Sequence, residues 1–389
     1  MTTRQIEKYL IKLQREEFEF KNQNSAVATN EPADQEKGLL RLVKVGWFIM
    51  RSLLDFTSLL LKLRLSSSFF EGKRFVFTAR NLCTELDGKL EDRVVKPLFQ
   101  DDIVFVSHSK EYYLHQINGF RVYNVGGVVK LLSLVSNRGQ SRLMRIFLAY
   151  RAVNNAIVRL LRSNEVYTLC YYDLNGLSLA FSNHREKMKL CEVQHGSIIN
   201  YPPYVKPSPI QIADVFYVKN QETVEYLKSH LCRDYDAEYK LIPYPKTQLK
   251  FVPGMHIFYA STVEFNGLHP VFKKFLAENE DGDLHVIVRL HPREQDKEEL
   301  FRKQLSKYNI NYEFDRSKNW IEGNTIKNLI VVSPWSSTIE DSCDNGFTTI
   351  VIDSVGKERY AHLIDGVQCF FSEDLGVSVD NSLETFVKV

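Results

Sequence analysis

The stretch Leu284-His-Val-Ile-Val-Arg-Leu-His-Pro-Arg293 decides how this chain is read. Its apolar residues run almost without alternation, so the strand predicted over 284–290 is buried on both faces. Such strands belong to parallel sheets covered by helices, and Pro292 then sets the turn into a helix predicted over 294–308. The same pattern recurs on either side. Strands are predicted at 255–260, 329–332 and 348–353, with helices at 270–277 and 337–344. Upstream, strands at 73–79, 102–107, 120–124, 166–172, 189–194 and 215–218 accompany helices at 142–162 and 174–184. A proline-bearing joint, Ile242-Pro-Tyr-Pro245, interrupts the rhythm before it restarts. The fold class is therefore α/β, two doubly wound units in tandem, with C-terminal strand ends expected to face each other across a cleft.

Length and composition agree. A chain of 389 residues exceeds one ordinary core and suits two domains of about 100–200 residues each. Fifty Lys+Arg against 48 Asp+Glu leave a formal charge of +2, without the broad basic field of a nucleic-acid binder. The six cysteines show no Cys-x-x-Cys or Cys/His ligand spacing, so neither a zinc site nor a disulfide framework is expected. The N-terminal Met1-Thr-Thr-Arg-Gln-Ile-Glu-Lys8 lacks the apolar core of a secretory signal, and a cytoplasmic protein is expected.

Residues 1–72 stand apart. A charged helix over 4–20 and a polar stretch containing Pro32 precede a long helical pattern from Leu39 to Leu65. That pattern mixes Leu, Val, Ile, Trp47 and Phe48 with Arg41, Lys44, Arg51, Lys62 and Arg64. The charges are too frequent for a span, which needs about 20 apolar residues. Two readings stay open. The helix packs on its own domain with a solvated basic edge, or it lies on an anionic membrane surface.

No Gly-x-Gly-x-x-Gly or Gly-x-x-x-x-Gly-Lys-Ser/Thr loop is present, and Gly126-Gly127 runs on into Val-Val-Lys. A nucleotide must be held by other means. His291 ends a strand between Arg289 and Arg293, where it can donate to a phosphate, protonate a leaving group, or cap backbone carbonyls. Ser333-Pro-Trp-Ser-Ser-Thr-Ile-Glu340 opens a helix after a strand. Ser336 and Ser337, with free amides, make either an anion site or a plain N-cap. Glu340, one turn on, reaches a ribose hydroxyl or complements the helix dipole.

In the N-terminal half, Tyr171-Tyr-Asp-Leu-Asn-Gly176 places Asp173 at a strand end, as first candidate base or as N-cap of the following helix. Glu192-Val-Gln-His-Gly-Ser197 offers Glu192 as second candidate, and Gly176 and Gly196 would admit close approach of a substrate. Tyr201-Pro-Pro-Tyr204 is expected to form a stiff aromatic loop beside them. Glu280-Asp-Gly282 reads as a surface turn. Every candidate follows Gly72, so deletion of residues 1–36 is expected to leave activity intact.

The order Glu-x-Gln-His-Gly at 192–196, His291-Pro292 after a strand and Ser336-Ser337 opening a helix resembles bacterial surface-polysaccharide glycosyltransferases of the two-Rossmann (GT-B) type. The likeness covers roughly residues 73–370. The His-Pro and Ser-Ser pair looks particularly like enzymes using cytidine-activated donors: sialyltransferases, Kdo transferases and the CDP-glycerol polymerases of teichoic acid. The acidic-acidic-glycine base of the sialyltransferases is missing from its usual place.

The resemblance implies a helical extension (1–72), a Rossmann-like acceptor domain (73–245) and a Rossmann-like nucleotide-sugar donor domain (246–389). It implies a metal-independent transfer of a nonulosonic acid, of sialic or Kdo type, from a CMP-activated donor to a growing surface glycan. Asp173 or Glu192 would be the base. His291, Pro292, Arg293, Ser336, Ser337 and Glu340 would contact the donor, with His291 also catalytic. Gln194, His195, Gly196 and Tyr204 would contact an oligosaccharide or lipid-linked acceptor. No cofactor beyond the CMP-sugar co-substrate is implied, and peripheral contact with the inner membrane face belongs to the second reading of 39–65. Three alternatives share the fold: a UDP-sugar transferase, a non-hydrolysing UDP-sugar 2-epimerase, and a non-catalytic scaffold of polysaccharide assembly.

Overall fold

The computed structural model describes residues 2–23, 38–65, 70, 72–78, 83–86, 89–92, 94–95, 98, 103–108, 122–135, 139–161, 164–242, 250–263, 265–280, 283–317, 320–364, 368–376 and 378–379. The chain divides into two compact units. Glu31–Ile198 and Pro202–Pro243, with Met1–Phe20, form the first; Tyr244–Val389 makes up most of the second.

The first unit opens with α1 (Thr3–Gln23) and α2 (Gly38–Leu65). There follow β1 (Arg74–Thr78), a small hairpin of β2 (Cys83–Leu86) and β3 (Lys89–Asp92), then β4 (Ile103–Ser107), β5 (Val122–Asn124), α3 (Gly126–Val135) and α4 (Arg142–Val158). It continues through β6 (Asn164–Thr168), α5 (Leu174–Ala180), β7 (Met188–Val193), β8 (Val215–Val218), α6 (Gln221–Ser229) and β9 (Glu238–Leu241). Seven strands pair in parallel in the order β5-β4-β1-β6-β7-β8-β9. The first strand is central, and the winding reverses between β1 and β6.

Burial on both faces explains the unbroken apolar runs. On one face Phe75, Phe77, Val104 and Val106 pack with Leu59 and Leu63 of α2, Val128 of α3 and Val153 of α4. On the other, Val76, Phe105, Tyr167 and Val193 form a second cluster. Each fully buried side chain of this kind contributes about 1.5–3 kcal/mol.

Gly126-Gly127 turns out to be a joint between helices. A Cβ on Gly127 would lie 2.7 Å from the Cα of Ile49, and one on Gly126 would lie 2.5 Å from the His108 carbonyl oxygen. Only glycine lets α3 start this close to α2. The Gly127 N–H donates to Ser52 Oγ (3.1 Å) and the Gly126 N–H to Asn124 Oδ1 (3.0 Å). The amides that could have cradled a phosphate are engaged within the fold.

The second unit runs β10 (Met255–Ala260), α7 (Pro270–Glu278), β11 (Leu284–Arg289), α8 (Glu298–Leu305), β12 (Asn311–Phe314), α9 (Trp320–Gly323), β13 (Leu329–Ser333), α10 (Thr338–Asp344), β14 (Thr348–Val351), α11 (Ser354–Arg359), α12 (Ala361–Ile364) and β15 (Cys369–Phe371). Its six strands are parallel in the order β12-β11-β10-β13-β14-β15, with the first strand again central. The fold class is α/β: two doubly wound, Rossmann-like units in one chain, the composition of a GT-B protein.

Two local expectations shift, and a third holds. The strand expected at 166–172 is β6 at Asn164–Thr168, so Tyr171 to Asp173 lie beyond its end. The helix expected at 294–308 is a 3-10 helix, Pro292–Lys297, leading into α8. The long 39–65 pattern is one helix, α2, and it packs on its own unit. The joint over 243–249 and Asp281-Gly282 lie outside the described residues. Among the described residues, no helix is long and apolar enough to cross a membrane.

Candidate functional site

In the second unit β10 lies between β11 and β13, so the segments following these three strands share one sheet edge. Ser261-Thr262 follow β10, His291 follows β11, and Pro334 to Ser337 follow β13. Sequence reading chose the outer two and missed the middle one. Ser261 organises the edge. Its N–H donates to the Arg289 carbonyl (3.0 Å), and its hydroxyl donates to Glu294 (2.7 Å) while accepting the His291 N–H (2.8 Å). The Glu294 N–H returns to the His291 carbonyl (2.8 Å), so the turn bearing His291 is fixed from both ends. Beside it the Thr262 hydroxyl is buried with no hydrogen-bond partner. A side chain of that kind is uncommon and asks for an acceptor.

The serine segment is tied to the same edge. Ser333 Oγ donates to the Ala260 carbonyl (2.9 Å) and accepts the Ser336 N–H (3.2 Å). Ser336 Oγ accepts the Thr338 N–H (3.3 Å), so Ser336 supplies the local cap. Ser337 stands at the N-cap position of α10 with helical backbone angles and makes no side-chain cap bond. The buried Tyr360 hydroxyl donates to the Ser336 carbonyl (2.9 Å). A Cβ on Gly356 would meet the Pro334 carbonyl oxygen at 1.9 Å, so α11 presses directly on this loop. The Arg359 guanidinium lies 5.5 Å from the Trp335 ring centre. Glu340 is buried in the first turn of α10.

The expectation for Arg289 needs correction. Arg289 does not add its charge to His291. Its guanidinium is paired with Asp315, both side chains largely buried, and also donates to the Ser317 carbonyl (3.1 Å). The side chains of Pro292 and Arg293 lie outside the described residues.

In the first unit Glu192 sits at the C-terminal part of β7, almost fully buried. It accepts the Tyr204 hydroxyl and, at 3.5 Å, the Tyr171 N–H, while Oε2 has no hydrogen-bond partner. Burial pushes its carboxyl from the ordinary 4.5 up to about 7, against the downward pull of those two donors; nearby Asp173 adds to the rise. The rings of Tyr171, Tyr172 and Tyr204 meet edge-to-face around it, with centres 5.2 Å to 5.9 Å apart. Tyr204 was expected in an acceptor loop. It is instead buried, and its hydroxyl serves Glu192.

Asp173 caps α5, accepting the Gly176 N–H at 2.6 Å. A Cβ on Gly176 would come within 2.4 Å of the Cys170 carbonyl oxygen, so that glycine serves backbone packing rather than substrate approach. Gln194 spans its own turn, accepting the Lys219 N–H (2.8 Å) and donating to the Gly196 carbonyl (3.0 Å). His195 Nε2 is 3.4 Å from Cys170 Sγ. Gly196 has neither positive φ nor any atom within 4 Å of a would-be Cβ; the fold itself does not require glycine there.

His108, directly after β4, was not singled out from sequence. It is buried against Tyr150 (ring centres 4.7 Å apart), its ring nitrogens have no hydrogen-bond partner, and burial pushes it down to about 3. A histidine at a strand end was the available signal, as it was for His291. Among the described residues, no group of three or more His, Cys, Asp or Glu side chains gathers as a metal ion would require.

No protein-family model matches the sequence, and comparison with curated proteins returns no match. Solved structures similar to this chain include a UDP-GlcNAc 2-epimerase from Neisseria meningitidis bound to UDP-GlcNAc (10% identity, TM-score 0.44, covering 81% of this chain and 90% of that one). A lipopolysaccharide outer core galactosyltransferase in its apo form is similar at 9% identity and TM-score 0.41, over 80% and 94% of the two chains. So is Anabaena HepE in complex with UDP and glucose, at 11% identity and TM-score 0.41, over 81% and 91%.

Proposed function

We propose that the chain is a nucleotide-sugar-dependent enzyme, in the first instance a glycosyltransferase, whose second unit holds the donor. The observation that carries this reading is the sheet edge at β10, β11 and β13. There the buried, unpartnered Thr262 hydroxyl lies between the fixed His291 turn and the Ser336-Ser337 segment. Phosphate oxygens only accept hydrogen bonds, and donors fixed in a dry setting are the matching chemistry.

In the transfer, an acceptor hydroxyl attacks the anomeric carbon and the bond from that carbon to the phosphate oxygen breaks. The electron pair leaves with the phosphate, where His291 and the hydroxyls offset the charge. The proton of the acceptor goes to a carboxylate. Asp173, half-buried at the N-cap of α5, is the carboxylate that an acceptor can reach; Glu192 is 1% exposed and stands second despite its raised pKa.

Strands lie about 4.8 Å apart, so the segments after β11 and β13 leave the sheet about 10 Å apart. The Ser261-Thr262 segment lies between them, so three segments in a row line this edge. A UDP-sugar is placed ahead of the CMP-sugar suggested by the serine and histidine motifs. Uridine diphosphate, as UDP-GlcNAc or as UDP, is the nucleotide bound in two of the similar structures.

Calorimetry with UDP, CDP, CMP and GDP tests the reading. UDP is expected to bind most tightly, and Ser336→Ala/Ser337→Ala to weaken it by about 1–3 kcal/mol. CMP binding more tightly than UDP would restore the cytidine donor; no binding of any nucleotide would remove the enzyme reading. Release of UDP only with an acceptor marks a transferase, and an epimerised sugar without one marks a 2-epimerase.

A further inference from the structure

We infer that α2 docks the protein on an anionic lipid surface, lying in the plane of the interface with its outer face against the membrane. The two sequence readings of this helix were posed as alternatives, but its opposite faces satisfy one each. Phe48, Ser52, Leu59 and Leu63 are buried and point into the first unit. Trp47, Met50, Leu54, Leu61 and Leu65 recur at spacings of three, four, seven and four residues, which at about 3.6 residues per turn forms one stripe on the opposite side. These five side chains are 56%, 47%, 61%, 52% and 77% exposed. With Leu53, α2 supplies six of the thirteen exposed large hydrophobic residues among the described ones. The concentration on one helix is what separates a patch from ordinary scatter.

Charge decides the occupant. Asp55 is the one acidic residue of α2, against Arg41, Lys44, Arg51, Lys62 and Arg64. Asp55 is largely buried and accepts the Asn124 N–H (3.4 Å), while Lys62 turns inward to the Tyr123 hydroxyl (3.3 Å). Arg51, 4.0 Å from Asp55, and Arg64 remain exposed at the two margins of the stripe. An apolar stripe edged by arginines matches acyl chains below anionic headgroups. A second copy of the same face would bring arginine against arginine. The helix is too charged to span a bilayer, so it lies on the surface rather than crossing it. This inference is independent of the proposed chemistry.

The test uses the full chain with phosphatidylcholine vesicles, with and without phosphatidylglycerol. Flotation is expected with the anionic vesicles only, accompanied by a blue shift of tryptophan emission. Trp47 is the reporter, since Trp320 is buried and Trp335 half-buried. Leu54→Glu/Leu61→Glu should abolish both signals. Arg51→Glu/Arg64→Glu should reduce binding at least tenfold, as should raising salt from about 0.1 M to about 1 M, which shortens the Debye length from about 10 Å to about 3 Å. Unchanged melting of both variants shows that the fold is kept. A folded protein that stays off anionic vesicles overturns the inference. So does equal flotation on neutral vesicles, or a dimer seen by light scattering that Leu54→Glu/Leu61→Glu dissociates.

Discussion

The Tyr204 hydroxyl donates its hydrogen bond to the Glu192 carboxylate inside a pocket closed to water. Burial still wins over that bond, and Glu192 titrates at about 7 instead of the ordinary 4.5. Between these two values the folded chain keeps a proton that the unfolded chain has released. Stability therefore falls as pH rises from 4.5 to about 7 and levels off above. The full swing is about 3 kcal/mol. Urea unfolding across that window should show the slope in the native protein and lose it in Glu192→Gln. Tyr204→Phe removes a donor that holds the value down, so its slope should extend to higher pH.

The helix α1 belongs to the same neighbourhood. Ile6, Leu10 and Leu13 are buried, the Tyr9 hydroxyl reaches Ser208 Oγ (3.5 Å), and Glu16 pairs with Lys206 (3.0 Å). Tyr9 also adds to the rise in the pKa of Tyr171, beside Glu192. Truncation of residues 1–36 therefore should not be silent. It should lower the melting temperature and bring the Glu192 titration, followed by the pH slope above, back toward 4.5. Leu10→Ala alone should cost about 2–5 kcal/mol in denaturant unfolding.

Arg289 and Asp315 form a closed pair whose partners cannot be removed singly. Asp315→Asn should destabilise by about 3–5 kcal/mol, because it leaves a guanidinium buried without its counter-charge. Arg289→Met/Asp315→Leu should recover most of that loss. Nucleotide affinity in the double variant should stay near that of the native chain, as measured by calorimetry, since Arg289 spends its charge on Asp315.

Gly356 touches no ligand in the proposed site, yet Gly356→Ala should weaken nucleotide binding as much as loss of the Ser336 and Ser337 hydroxyls. The new methyl group would meet the Pro334 carbonyl at 1.9 Å and push the serine loop off the β10 edge. Binding by calorimetry alongside a melting curve separates this from general unfolding.

The central strands were legible because two-sided burial writes itself as uninterrupted apolar sequence, as in Ile103-Val-Phe-Val106. Two of the edge strands carry no such mark. β12 (Asn-Tyr-Glu-Phe) alternates with exposed polar residues, β9 (Glu-Tyr-Lys-Leu) exposes both of its ends, and neither was anticipated. The helix α3 was hidden by its glycines, whose purpose is set by Ile49 and Ser52, some 75 residues earlier in the chain. At the candidate site, His291 and the serines were found through their places at strand ends. Ser261-Thr262 were not, because only the strand order puts β10 between the other two. Glu192 was found as a strand-end acid, but its pocket depends on Tyr204 arriving from a later turn.

Both sheets begin with an interior strand, and this has a cost during synthesis. Phe75 of β1 pairs with Val166, and Ile257 of β10 with Ile330. At about 5–20 residues per second, β1 waits on the order of 5–20 s for its second neighbour to leave the ribosome. Throughout that interval Phe75-Val-Phe77 presents an open apolar edge to other nascent chains. The wait recurs once more in the second unit. Slowing initiation, which spaces nascent chains apart, should raise soluble yield, because this edge is open only before each sheet is complete.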